Sequence, residues 1–317
     1  MQRSRYNIFF LLWLIFFYSC SLIREEPENE GIDPTLVDVY MIFILPEDTT
    51  VQIDHSGATS MDTRYTFEVT PKIMKMKSDT TRQTVFITSS PLVNGDTLAF
   101  PVKISPVQNN IRVWIDYIPR ENPSGCYYNT KHLSSVKVTE PYQACTSQKR
   151  AFAGNHDIDL SDFKGQKHAN TSTTLNLTLP FGSFNILATD YQQYIQEHPH
   201  DAPVTTVIKY RNYYPYGYNV GNQCANLNDF STNINFTTEI RIQSDNTALI
   251  AHDHAFVSPD SSDIAVDLFF YSASGKLIQK VKNISIPIRR GEFTTISDDF
   301  LTQQFEDPDE NNGTTVE

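Results

Sequence analysis

Apolar and polar residues alternate along most of this chain with the period of two that an extended strand imposes. Val37, Val39, Met41, Phe43 and Leu45 make one such row, and Tyr65, Phe67 and Val69 a second. Ile111, Val113, Ile115 and Tyr117 form a third, with Arg112 and Asp116 on the opposite face. Leu175, Leu177, Leu179 and Phe181 alternate with Thr174, Asn176 and Thr178, and Ile264, Val266, Leu268 and Phe270 close the series. Each row predicts a strand half buried in a sandwich, with its polar side facing water. Turn signals separate the runs at Asn94-Gly95-Asp96, Ser124-Gly125, Phe181-Gly182-Ser183 and Ser274-Gly275-Lys276, the last reading as a hairpin. Helical patterning is confined to Tyr191–Glu197, which Pro199 would stop. The chain reads as all-β.

So many short strands exceed what one small sandwich holds, which predicts two in tandem. The boundary is expected in the polar stretch Phe163–Thr173, giving an N-terminal unit over 36–165 and a C-terminal unit over 166–302. Residues 303–317 hold five acids and no base, a composition that predicts a disordered tail.

The N-terminus has a different character. Arg3 and Arg5 precede the uncharged run Ile8–Tyr18, whose eleven residues would make a helix of roughly 16 Å, too short to span a bilayer. The run ends in Phe17-Tyr18-Ser19-Cys20, a sequence that resembles a lipobox although Phe17 and Tyr18 depart from its commonest residues. Residues 1–19 are therefore expected to be a signal peptide and Cys20 the lipidated first residue of the mature protein. Ser21–Gly31, rich in acids with Pro27 and Gly31, then reads as part of a flexible tether over 20–35.

Removing residues 1–19 takes away two bases and no acid, leaving 23 Lys and Arg against 37 Asp and Glu, a net charge of −14. Nucleic acids and anionic lipid surfaces are polyanions, so both are disfavoured as partners. The lipid supplies the expected membrane contact. Three cysteines follow Cys20. Cys126 and Cys145, 19 residues apart, could close a loop that would be stabilised by roughly 3 kcal/mol. Unpaired thiols at Cys126, Cys145 and Cys224 are the equal alternative.

Candidate chemistry is sparse. His198-Pro199-His200-Asp201 reads as an exposed loop, and His252-Asp253-His254 as a strand with a polar outer face. Two histidines on one strand face could share a metal, but no further ligands accompany them, and no metal or other cofactor is expected. Asp307–Gly313 imitates a calcium loop whose glycine is one place late. No nucleophile elbow, zinc helix or phosphate loop is present in the sequence, and no enzymatic activity is expected. Tyr210, Tyr213, Tyr214, Tyr216 and Tyr218, with Arg211, Asn212 and Asn219, could stack on sugar rings. Tyrosine is also a favoured strand residue, so packing at a sheet corner competes with that reading. Asp48-Thr49-Thr50, Asp79-Thr80-Thr81 and Asp96-Thr97-Leu98 resemble bacterial O-glycosylation sites, a pattern this composition produces by itself.

Longer stretches carry a resemblance. Arg64–Val69, Val113–Tyr117, Tyr127–Thr130 with Leu133, Thr139–Tyr142, Arg150–Gly154, Leu187–Asp190, Tyr214–Asn219 and Pro287–Gly291 occur in order. In these the chain resembles lipoproteins of Bacteroidetes from an uncharacterised domain family related to fimbrial subunits and fimbrial anchor proteins. The acidic residues behind Cys20 likewise resemble the surface-export signal of such lipoproteins. The resemblance implies two transthyretin-like, Greek-key β-sandwich domains. It also implies a surface-exposed outer-membrane lipoprotein serving as a fimbrial-type anchor or accessory adhesion protein, with fimbrial subunits as partners. A surface glycan-binding lipoprotein is the alternative.

Overall fold

The computed structural model describes residues 35–46, 61–72, 82–89, 97–121, 126–144, 146–211, 214–226, 230–231, 234–259 and 261–303. The expected signal peptide, Cys20, nearly all of the tether, the acidic tail with its calcium-like stretch, and the turns at Asn94–Asp96 and Ser124–Gly125 lie outside them.

The chain is all-β. Its first half runs through β1 (Val37–Ile44), β2 (Met61–Pro71), β3 (Arg82–Thr88), β4 (Thr97–Ile104) and β5 (Gln108–Pro119). The short β6 (Tyr128–Asn129) and β7 (Val136–Val138) follow, then β8 (Ala151–Asp159) and β9 (Asn170–Asn176). Two sheets result, ordered β4-β1-β9 and β3-β2-β5-β8. Between them lie the alternating rows: Val37, Val39, Met41 and Phe43 of β1 are fully buried, as are Phe67, Ile111, Val113 and Ile115. Aromatic rings bridge the layers, with Phe43 centred 5.6 Å from Phe67 and Tyr65 4.4 Å from Phe100.

The second half runs through β10 (Phe181–Ala188), the helix α1 (Tyr191–Glu197) and β11 (Pro203–Arg211). Small strands follow: β12 (Tyr214–Pro215), β13 (Gly217–Asn219), β14 (Cys224–Ala225) and β15 (Phe230–Ser231). The chain then forms β16 (Asn235–Glu239), β17 (Arg241–Ile242), β18 (Ala248–Phe256), β19 (Ser261–Ser272), β20 (Leu277–Arg289) and β21 (Phe293–Asp298). These make sheets ordered β17-β18-β10-β21 and β16-β11-β19-β20. Ile264, Val266, Leu268 and Phe270 point into the core, as their alternation requires.

Several sequence expectations need correction. Phe181-Gly182-Ser183 is the start of β10, not a turn. Glycine stands there because a Cβ would lie 2.5 Å from the Arg289 carbonyl oxygen of β20. The row from Leu175 to Phe181 is not one strand. β9 ends at Asn176, and Leu177–Pro180 crosses from the first half to the second, pairing with β8 through a bridge from Thr178 to Ala153. β9 itself, beyond the expected boundary, pairs in parallel with β1 from Asp38–Asn170 to Ile44–Asn176. The short helix at Tyr191–Glu197 and the Ser274–Lys276 hairpin turn are as expected, with Gly275 at a φ of +79°.

The halves are joined by more than the crossover. A sheet ordered β14-β13-β7-β6 draws strands from both, with Gly217 opposite Lys137 and Tyr218 opposite Val136. The face of β5 opposite its sandwich core is also covered. Trp114, fully buried there, has its ring centre 5.1 Å from Tyr128, 6.0 Å from Tyr218 and 6.2 Å from Phe256. Arg112 and Asp116, expected on a solvated face, are part of the same covered surface, and Asp116 is fully buried.

Truncating a fully buried aromatic ring at such a junction removes packing on both sides. Trp114→Ala should therefore lower unfolding stability by about 3–5 kcal/mol in urea titration, with the loss shared by both halves. A loss confined to fluorescence or circular dichroism reporters of the first half would contradict the shared junction.

Candidate functional site

Charged residues of the junction pair with each other. Arg64 donates two hydrogen bonds to Asp116, 2.9 Å from Nε to Oδ1 and 2.6 Å from Nη2 to Oδ2, and a third of 2.9 Å to the Tyr128 carbonyl. Burial pushes the Asp116 carboxyl above its ordinary value, while the adjacent guanidinium pulls it back. Arg112 donates to Glu68 at 3.2 Å and lies so close to Gly221 that a Cβ there would meet its Nε at 2.9 Å.

A second buried cluster is centred on Asp253 of β18. Its Oδ2 accepts hydrogen bonds from the Tyr142 hydroxyl and, at 2.8 Å, from the Tyr210 hydroxyl. Its Oδ1 lies 3.2 Å from Lys149 Nζ, which also donates to the Tyr142 hydroxyl at 2.6 Å and sits 4.1 Å from that ring's centre. Lys149 and Tyr142 come from the first half, Tyr210 and Asp253 from the second. The cluster is thus a polar clamp across the molecule, its ion pair closed to solvent, with the lysine 1% exposed and Tyr142 half-buried.

These positions revise the candidate residues. Tyr210 and Tyr218 are fully buried, so neither offers a ring face to a sugar. Tyr210 is held by Asp253 and Tyr218 accepts a hydrogen bond from Arg290 at 2.8 Å. Tyr216 is half-buried beside Glu140, and the side chains of Tyr213 and Tyr214 lie outside the described residues. The five tyrosines therefore do not form one exposed platform; strand alternation and the junction turn two of them inward. His252-Asp253-His254 is likewise no polar outer face. Asp253 is buried, and so is His254, whose Nδ1 is 2.7 Å from the Ser183 hydroxyl. His198-Pro199-His200 is exposed, as expected. Among the described residues no three acids, histidines or cysteines are grouped to hold a metal. Cys126 and Cys224 are half-buried, and Cys145 lies outside the described residues.

One solvent-facing surface does combine aromatic and polar groups. The outer side of the β16-β11-β19-β20 sheet carries an open depression of about 500 Å³ lined by Val207, Lys209, Asn235, Phe269 and Tyr271. Val207 stands opposite Phe269 on the neighbouring strand, and Asn235 opposite Lys209. Lys280 of β20 lies directly across from Phe269 on the other side. The signal was present in the sequence. If Ile264, Val266, Leu268 and Phe270 face the core, then Phe269 and Tyr271 must lie on the opposite side of the strand.

With this geometry in place, comparison with known proteins fixes the family. Residues 35–313 match the family described as "Family of unknown function (DUF6562)". The chain belongs to that family. No curated protein matches it. Solved structures similar to it include a candidate adhesin of Bacteroides ovatus, 12% identical, with a TM-score of 0.46 over 87% of this chain and 95% of that one. Another is the fimbrial anchor protein Mfa2 of Porphyromonas gingivalis, 11% identical, with a TM-score of 0.39 over 78% of this chain and 82% of that one. A fimbrial assembly protein of Parabacteroides distasonis is 10% identical, with a TM-score of 0.40 over 83% and 90%.

The clamp and the buried histidine each generate a test. Lys149→Met leaves the Asp253 carboxylate buried without its cation, which should cost about 3–5 kcal/mol. Adding Asp253→Leu should recover part of that loss, so the double variant is more stable than additivity gives. Burial pushes the His254 imidazole down to about 4; Asp253 opposes this, and Lys149, His252 and Arg150 reinforce it. Unfolded, the ring titrates near 6.5, so the unfolded chain binds the extra proton between those values. Stability is complete above pH 6.5 and falls as pH drops towards 4, by on the order of 3 kcal/mol. His254→Gln, which keeps a partner for Ser183, should flatten that window in urea titrations at stepped pH.

Proposed function

We propose that the chain is a non-enzymatic, lipid-tethered envelope protein of the fimbrial-anchor or accessory-adhesion type, exposed at the outer-membrane surface. In this reading residues 1–19 are removed, Cys20 carries the lipid and residues 20–35 form the tether. The observation that carries it is the setting of β1, the first described strand after that tether. β1 is hydrogen-bonded along its whole length on both edges, antiparallel to β4 from Val37–Ile104 to Ile44–Thr97 and parallel to β9. A pull on Cys20 would load these ladders in shear, so many bonds would have to break together. Such a strand suits an anchor.

The same setting argues against filament growth through β1. Strand-exchange polymers need an apolar strand that is free to enter a neighbour's sheet. Here Val39, Met41 and Phe43 fill the strand's own core. The buried charged residues described above are likewise engaged in clamps rather than gathered in an open pocket, which supports a binding rather than a catalytic role. Among the described residues no helix is long and apolar enough to cross a membrane. Cys20 is the attachment in this reading.

Cys20→Ala should accordingly move the protein from the detergent phase to the aqueous phase in phase-separation assays. Light scattering behind size exclusion should show the released chain as a monomer at high concentration. Continued detergent partitioning would refute lipidation at Cys20, and a ladder of oligomers would refute the locked β1.

A further inference from the structure

We propose that the Lys149–Asp253 clamp is the site of an autocatalytic cross-link, an amide joining Lys149 Nζ to the side-chain carbonyl carbon of Asp253. The cluster brings together the reacting groups, a proton route and a dry setting. Nζ lies 3.2 Å from Asp253 Oδ1, and neither side chain meets solvent, at 2% and 0% exposure. The Tyr142 hydroxyl bridges the two groups, accepting from Nζ at 2.6 Å and donating to Oδ2. The Tyr210 hydroxyl donates to the same oxygen at 2.8 Å. Phe236 is centred 6.2 Å from the Tyr142 ring and 6.3 Å from the Tyr210 ring, so the pair sits among aromatic surfaces. An ion pair needs only its two charges in contact. A hydroxyl that touches both partners is what condensation needs in addition.

The reaction takes no oxidant, cofactor or second reactant. The ammonium passes one proton through the Tyr142 hydroxyl to Oδ2, which frees the Nζ lone pair to attack Cγ. The Cγ–Oδ1 π electrons move onto Oδ1 as the C–N bond forms. A second proton follows the same route, the electron pair on Oδ1 returns, and the Cγ–Oδ2 bond breaks. Oδ2 leaves as water with both protons, and the amide nitrogen keeps the third. Tyr210, donating to Oδ2, holds the departing oxygen and leaves Oδ1 turned to Nζ. An ammonium and a carboxylate do not condense in bulk water. Held in contact, such groups react at effective concentrations on the order of 10⁵ M or more. Surroundings that exclude water also protect the product from hydrolysis. The amide ties Lys149 of the first half to Asp253 of the second, 104 residues further along, and makes the clamp covalent.

The link goes beyond the anchoring role and does not require it, because it is read on the purified chain whether or not Cys20 is lipidated. The full chain is denatured, reduced, digested with trypsin and analysed by tandem mass spectrometry. A branched peptide is expected, Val138–Arg150 joined through Lys149 to Asp253 of Ile242–Lys276, lighter than the two separate peptides by one water. Lys149→Arg keeps a cation beside Asp253 but removes the amine, so its peptides should be unlinked. Tyr142→Phe keeps the ring against Lys149 and removes the relay. In freshly synthesised protein its link should form about a hundredfold more slowly than in the wild type. The wild-type digest alone decides whether the link exists, so a variant that fails to fold leaves the test intact. Exclusively unlinked wild-type peptides, a branched peptide that survives Lys149→Arg, or link formation at the wild-type rate in Tyr142→Phe would each overturn the proposal.

Discussion

The fold depends on covering a sheet face that its own sequence makes polar. β5 sends Ile111, Val113, Ile115 and Tyr117 into one core, and Arg112, Trp114 and Asp116 to the opposite side. Left in water, that second face would be an ordinary solvated surface with one tryptophan upon it. The second half instead packs against it. Desolvating a carboxylate costs several kcal/mol, and a two-pronged contact from Arg64 offsets that cost only in one geometry. That pair joins neighbouring strands of the first half, and the contact across to the second half is made by Trp114 against Tyr218 and Phe256. The ion pairs Arg64–Asp116 and Arg112–Glu68 brace the face itself, both between β2 and β5.

The Lys149–Asp253 clamp repeats this logic elsewhere. Asp253 accepts from Tyr142, Lys149 and Tyr210, so its carboxylate trades water for donors from three separate segments. None of those segments can shift without stranding a buried charge. His254, next along β18, is kept neutral by the same dry surroundings. Buried polar groups of this kind contribute little net stability, yet they reject misdocked arrangements strongly.

Strands were legible because each needs only its own alternation. Val37–Leu45 and Ile264–Phe270 could be read from spacing alone, and so could the helix before Pro199. What could not be read were the features set by a second chain segment. Gly182 looks like a turn residue until the Arg289 backbone is seen against it. Tyr210 and Tyr218 look like a surface cluster, because nothing local says that Asp253 and Arg290 await their hydroxyls. His252-Asp253-His254 looks polar and therefore exposed, but β18 is buried on both faces. Period two tells which side a residue faces, but not whether that side meets water. The depression on β19 was half legible. Alternation requires Phe269 and Tyr271 to point outward, but only the register with β11 and β20 brings Lys209 and Lys280 beside them.

These two halves have different mechanical and chemical characters. In the proposed anchor the first would receive the tether through β1, whose ladders on both edges suit a steady load. The second carries the half-buried aromatic residues Phe269 and Tyr271 on a sheet that does not include β1. If force enters at one half and a ligand is held at the other, the load must cross the junction. A loosely packed junction would let the halves swing and share little force. One built on Trp114 and the Lys149–Asp253 clamp transmits it, because the first resists displacement through packing and the second through the cost of exposing an unpaired charge. The buried polar groups thus suit the anchoring role proposed above, in which a pull on one half is passed to the other.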